Sequence, residues 1–348
     1  MIHHFATLFD INYLSRGLCL AESLSRVLDG NYQLYVLALD DETVEYFKKN
    51  PYPSILIVHI ADLELKYPEL LQAKSNRSLI EYYFTISPFL PLYLLENYQL
   101  PRITSLDADL FFYASPEIIF NTYHKDDILI TPHDFSSNIT YLLEYGIYNV
   151  SFQSFPYTEN AISVLNDWKD KCIQWCYDTL DKDTQNFADQ KYLNAWSANF
   201  PNIQPIYLKT AGRAPWNIRD TNLRLHNGKL MVDNDELIYY HFHHLRFYSN
   251  FIDHGLLLYG VYIMTPAIKS IYRQYLKNLF KLNILLQETN DNQILRFNYA
   301  KKKESLLARI WEQEAGMLRF NLFTVFFSIR FWKRAYYYAN RKMNGLFN

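Results

Sequence analysis

The chain has 348 residues, 49% of them hydrophobic, and a formal charge of −2 at neutral pH. That length allows one large or two ordinary domains with a sizeable core, and the near-balanced charge gives no general attraction to nucleic acid, which is therefore not an expected partner. Cys19, Cys172 and Cys176 are too few for a disulfide framework, and the last two have no second ligand pair for zinc, so they read as reduced core thiols of a cytoplasmic protein.

The opening residues, MIHHFATLFDINYLSRG, carry Asp10 and lack a cationic leader or a long apolar run, so no export signal is expected. No run of eighteen apolar residues occurs, and no spanning helix is expected either. From FATLF onward, β-rich runs alternate with helical stretches: a helix around Leu18–Leu28, then LYVLALD, SILIVHI and a helix near Leu79–Glu96. This alternation predicts an α/β fold with a parallel sheet. Strands at Ile103–Leu106 and Ile128–Thr131 continue it, and Ala161–Leu180 reads as one long helix with Trp168, Cys172, Trp175 and Cys176 on one side, as core rather than ligands. In LRLHNGKLMV, Asn227-Gly228 provides the positive φ angles of a tight hairpin turn. Leu237–Phe242 would then be a strand delivering His241, His243 and His244. From about Phe251 the pattern turns helical without further site motifs, which divides the chain into a catalytic domain at 1–250 and a helical extension at 251–348.

Within Arg102–Phe120, RITSLDADLFFYASPEIIF, a short apolar strand runs into Asp107-Ala108-Asp109. Side chains two apart on an extended strand share one side, so these carboxylates can converge on a cation. A hard divalent ion there would bridge phosphate oxygens and neutralise a departing nucleoside diphosphate. Such triplets also arise by chance: Asp181-Lys182-Asp183 and Asp233-Asn234-Asp235 lie in polar runs and read as solvated turns. Only the first follows a buried-type strand, and spacing alone leaves both readings open. Ligands of open α/β sheets gather beyond the carboxyl ends of the strands, where Asp10, Asp40, Asp107 and His241 could share a crevice. Three histidines in four residues could equally be a strand rim with one ring in the core. An imidazole joining two carboxylates favours manganese or another transition ion over magnesium.

Several motifs in order carry a resemblance: FATLFDINYLSRGL, SLIEYYFTISPFLPLYLL, SLDADLFF, GIYNVSFQSF, FADQKYLNAW, APWN and LIYYHFHHLR. Over residues 3–250 the chain resembles metal-dependent glycosyltransferases of the GT-A fold, in particular a bacterial group of nucleotide-sugar transferases related to glycosyltransferase family 8. The resemblance implies a mixed, mainly parallel Rossmann-like sheet flanked by helices. It implies Asp107, Asp109 and His241 as ligands of Mn²⁺ (or Mg²⁺), and a nucleotide-binding end at Thr7, Asp10, Asn12 and Tyr13. Asn149, Trp216, Asn217, His243 and Arg246 would line the sugar or acceptor side, and Asp189 and Gln190 match the catalytic pair near the anomeric carbon. Without the resemblance, Asp189 would read as an acid favoured by a helix dipole.

Two departures from the family pattern stand out. The stretch after the metal histidine runs His244, then Arg246-Phe247-Tyr248, in place of the usual Gly and Lys-Pro-Trp, and Phe84 stands where many relatives carry a basic residue. Arg77, ahead of Arg213 and Arg246, is the expected substitute cation for the diphosphate.

The expected activity is transfer of a sugar from a nucleotide-diphosphate donor, a UDP-sugar by resemblance, to a glycan or lipid-linked acceptor in surface polysaccharide synthesis, with retention of configuration. A sugar-1-phosphate nucleotidyltransferase is the alternative, although its Gly-rich basic N-terminal loop is missing from FATLFDINYLSRG. A catalytically silent glycan-binding protein is another. After Glu314 no acidic side chain occurs, and Arg319, Arg330, Lys333, Arg334, Arg341 and Lys342 lie among aromatic residues. That composition suits either a peripheral helix on the anionic inner face of the cell membrane or a packed C-terminal helix with solvated basic residues.

Overall fold

The computed structural model describes residues 2–248 and 251–289. It opens with β1 (His3–Phe9), α1 (Leu14–Val27), β2 (Tyr32–Ala38), α2 (Asp41–Lys49) and β3 (Ile55–His59). Four short helices follow, α3 (Ile60–Lys66), α4 (Glu69–Asn76), α5 (Leu79–Ile86) and α6 (Phe89–Tyr98), and lead into β4 (Arg102–Leu106) and β5 (Leu110–Phe112). Next come α7 (Glu117–Thr122), β6 (Ile128–Pro132), β7 (Tyr148–Pro156), α8 (Glu159–Gln174), α9 (Trp196–Asn199) and β8 (Ile203–Pro205). The remaining elements are the hairpin β9 (Leu223–His226) and β10 (Lys229–Val232), then β11 (Asp235–Glu236), β12 (Tyr239–His241), β13 (Arg246–Tyr248), β14 (Phe251–Asp253) and α10 (Pro266–Thr289).

The central sheet has the order β3-β2-β1-β4-β7-β6-β8, parallel throughout except that β7 runs against both its neighbours. This is the mixed, mainly parallel sheet flanked by helices that the resemblance implies, with β7 departing from the all-parallel pattern read from alternation. Alternation along β1 sends Phe5 and Phe9 into one apolar layer with Leu14, Leu18 and Leu24 of α1, Tyr240 of β12 and Ile271, Tyr275 and Leu279 of α10. Ala6 faces the opposite layer, with Leu90 and Leu94 of α6 and Val164 and Trp168 of α8. Burial on both faces accounts for the continuous apolar character of these strands. The carboxyl ends of β1, β2 and β4 share one edge, where Asp10, Asp40 and Asp107 follow.

Three helical expectations change. The helix expected near Leu79–Glu96 is split into α5 and α6 at Ser87-Pro88, because proline has no N–H to continue the ladder. The long helix expected to Leu180 stops at Gln174: Trp175 is extended (φ −154°, ψ 123°), and the polar Asp- and Thr-rich run beyond it supplies turns instead. Helices expected from Phe251 begin with the strand β14, paired to β13. The hairpin at Asn227-Gly228 forms as read, with φ of 49° and 80°. The basic, aromatic C-terminal segment lies outside the described residues.

Candidate metal centre

After Leu106 the chain turns rather than continuing as a strand. The Asp107 N–H donates to Ser151 O on β7 (3.0 Å), and the Leu110 N–H donates back to Asp107 O (3.2 Å). Asp107 and Asp109 therefore meet because they sit in a tight turn between β4 and β5, not because alternate residues of an extended strand share a face. β5 then pairs antiparallel with β12, placing His241 opposite Leu110, and the Phe242 N–H donates to Asp109 O (3.0 Å).

That ribbon carries His241 Nε2 to 3.0 Å from Asp109 Oδ1 and 3.5 Å from Asp107 Oδ2. One donor atom from each of the three residues lies within 4.8 Å of the others, so this set suits a divalent cation. His241 is buried, with Nε2 turned to the carboxylates and Nδ1 left without a partner, whereas the Asp107 side chain is 38% exposed and gives access from outside.

The electrostatics distinguish the three groups. Burial pulls the His241 pKa down, but the charge and hydrogen bond of Asp109, with the charge of Asp107, outweigh it and hold the imidazole above its ordinary value. For Asp109, burial pushes up, yet His241 and then Arg16 bring the carboxyl below the usual range. For Asp107, burial prevails over His241, Asp109 adds repulsion, and the value is raised.

Beside this centre, Asp10 caps the turn at Ile11–Tyr13 by accepting from Asn12 N–H (3.0 Å), and Asp40 accepts from Ile11 N–H (3.0 Å). Tyr83 lies beside this turn, and burial followed by the charges of Asp10 and Asp40 raises its phenol. Asn12 and Tyr13 are exposed, with the Tyr13 ring facing the Arg16 guanidinium at 4.6 Å. Thr7 is different: it is buried within β1 on the face of Phe5 and Phe9, and its hydroxyl has no partner. Arg77 donates to Thr85 Oγ1 and Ile173 O (both 2.6 Å), which engages its guanidinium between α5 and α8.

On the other flank, Trp216 is buried with its ring edge-on to His133 (5.3 Å), His241 (5.3 Å) and His243 (5.1 Å). Asn217 gives its amide hydrogens to His133 O and Gly212 O and accepts from Ala214 N–H, and Asn149 donates to Thr131 O and Pro132 O and accepts from Ser151. Both asparagines thus spend their polar groups on the backbone that shapes the wall. Burial, followed by the charges of the neighbouring His244, His241, His133 and Arg246, keeps His243 well below its usual pKa, while Arg246 is exposed and meets His244 Nδ1 at 3.3 Å. Gln190 donates to Tyr145 O (3.0 Å). Asp189 is buried with Oδ2 unpartnered; burial lifts its pKa to about 7 against the hydrogen bond from Ser87, and the charge of Asp107 adds to the rise.

Sequence reasoning missed three residues at this site. Arg16 lies on α1 with Nη1 3.9 Å from Asp109 Oδ2. Tyr83 feels the charges of Asp10 and Asp40, and His133 packs against Trp216. Nothing in the sequence spacing marked any of the three.

Fold and site together define a mixed α/β protein with a two-carboxylate, one-imidazole centre at the carboxyl edge of its sheet. No protein-family model matches the chain. It is 30% identical over 258 residues to the uncharacterized protein YfnF of Bacillus subtilis (strain 168), covering 72% of this chain and 84% of YfnF, and it belongs to the YfnF family. The uncharacterized protein YfnD of the same organism is 27% identical over 278 residues, covering 79% of this chain and 88% of YfnD. Among solved structures, the galactosyltransferase LgtC in complex with donor and acceptor sugar analogs aligns with a TM-score of 0.46 and 13% identity, covering 68% of this chain and 86% of LgtC. Apo mouse xyloside xylosyltransferase 1 aligns with a TM-score of 0.42 and 12% identity, covering 69% of this chain and 97% of that one.

Proposed function

We propose that this chain is a metal-dependent glycosyltransferase of the GT-A kind, which moves a sugar from a nucleotide-diphosphate donor, a UDP-sugar, to a glycan or lipid-linked acceptor. The observation that carries the reading is the arrival of His241, from far along the chain, at the two carboxylates of the β4–β5 turn. A bound divalent cation, manganese in preference to magnesium for a set with an imidazole, would stabilise the charge that develops on the leaving diphosphate. Asp107, Asp109 and His241 would hold it. The exposed Tyr13 ring offers a stacking face for a base, and the Asn12 amide and the Asp10 carboxylate offer polar partners beside it.

The donor sugar would lie between the cation and the wall of Asn149, Trp216 and Asn217. The free Oδ2 of Asp189 is a buried polar atom that a sugar hydroxyl would satisfy, and Gln190 would stand next to it at the anomeric centre. Attack by the acceptor hydroxyl on the face left by the diphosphate would retain configuration, as the motif resemblance implies. The C-terminal basic segment would hold the enzyme against anionic lipid on the cytoplasmic side, where a lipid-linked acceptor is presented.

The test is release of UDP from a panel of nucleotide sugars with and without Mn²⁺. Turnover is expected only with the metal, and Asp109→Asn should lower it roughly 100-fold or more, equivalent to about 2.7 kcal/mol of transition-state stabilisation. Metal-independent turnover, pyrophosphate-dependent turnover, or an Asp109→Asn variant as active as the parent would refute the assignment.

A further inference from the structure

Arg16 brings a permanent positive charge to the candidate metal centre. Its side chain is only 11% exposed, and Nη2 donates to Leu245 O at 2.8 Å, which fixes one edge of the guanidinium. Tyr13 and Phe247 stand at 4.6 and 5.7 Å from its central carbon, flanking the group with rings. The other edge faces Asp109: Nη1 is 3.9 Å from Oδ2, too long for a hydrogen bond but close for two opposite charges. Nη1 thus lies beside the centre without being bonded to that carboxylate.

Formal charge shows what this does. With a neutral His241, the two carboxylates and the guanidinium leave one negative charge, and a divalent cation turns it into one positive charge. Without the guanidinium, the cation would only reach neutrality. The guanidinium therefore opposes a lone cation and leaves the loaded centre positive, which suits an anionic group arriving on the metal.

We propose that Arg16 is a diphosphate-recognition residue that couples cation and nucleotide: it weakens capture of a divalent cation alone and strengthens capture of a nucleoside diphosphate with the cation, its Nη1 edge donating to a phosphate oxygen. This rests on the transferase reading and deepens it by assigning a donor-phosphate contact to α1. Arg77, the cation expected from sequence, is engaged instead by Thr85 and Ile173.

Calorimetry on the full chain, titrated with Mn²⁺ alone and with UDP at saturating Mn²⁺, separates the two effects, with thermal melting as the check on folding. Arg16→Gln should bind Mn²⁺ alone about fivefold more tightly and UDP about tenfold more weakly. The opposite signs are the diagnostic, because a residue that merely held the site in shape would weaken both. Arg16→Lys keeps the charge but not the two-edged fork, so it should keep the parent's affinity for Mn²⁺ alone and lose severalfold in UDP affinity. If Arg16→Gln weakens both ligands or changes neither, or if Arg16→Lys binds UDP like the parent, the proposal is overturned while the transferase reading stands. A parent protein that takes up neither Mn²⁺ nor UDP defeats that reading, and this inference with it.

Discussion

Asp189 is buried with one carboxylate oxygen unpartnered, and its pKa moves from the ordinary 3.8 to about 7, with burial as the main cause. Between those two values the folded protein keeps a proton that the unfolded chain has released. Stability therefore falls as pH rises across that window, by up to about 1.4 kcal/mol per pH unit, and the effect levels off outside it. Asp189→Asn removes this titration, so the variant's melting temperature relative to the parent should climb between about pH 4 and pH 7; parallel melting curves across that range would rule the account out. At this scale the sequence was legible where chemistry is written in residue type. Asp107, Asp109 and His241 converge as expected, although a turn rather than strand alternation brings the carboxylates together. It was not legible where a polar residue serves the backbone, as Asn149 and Asn217 do, because residue type does not reveal where an amide's hydrogen bonds go.

The direction of Arg16 depends on how α1 lies against β1, and Gly17 sets that distance. A β-carbon at Gly17 would lie 2.2 Å from the Phe9 ring, a contact the buried ring cannot absorb without moving. Gly17→Ala should therefore destabilise the protein by about 1–3 kcal/mol, despite alanine's better helix propensity. Chemical denaturation would measure it, and a neutral or stabilising result would show that α1 can shift outward freely. The same dependence explains why Arg16 escaped sequence reading: a helical residue's target is fixed by docking, not by spacing. The strands β1, β2, β3, β4 and β6 were readable from their apolar runs. The strand read at Leu237–Phe242 forms as the shorter β12 and delivers His241, whereas its three-residue partner β5 offers too few positions for a period to show.

For the molecule as a whole, α10 closes the layer that backs the site: the Tyr275 ring stacks on Phe242, next to His241, with centroids 3.7 Å apart. The region after residue 250, read from sequence as an extension, thus begins by sharing the core of β1, α1 and β12. Among the described residues no helix is long and apolar enough to cross a membrane. The full chain should co-sediment with vesicles rich in anionic lipid at low ionic strength and detach as salt is raised past about 0.15 M, where the screening length falls to about 8 Å. Binding that ignores salt or lipid charge would remove the electrostatic docking account. The ribbon of β5 and β12 has a last implication, for biosynthesis. A nascent polypeptide that has left the ribosome only as far as β7 already displays both aspartates, yet their imidazole partner is still to be translated. Under the proposed metal reading, the full three-residue set forms only once the closing ribbon strand at Tyr239–His241 emerges, so unfinished chains that stop short of it would present two carboxylates without the imidazole.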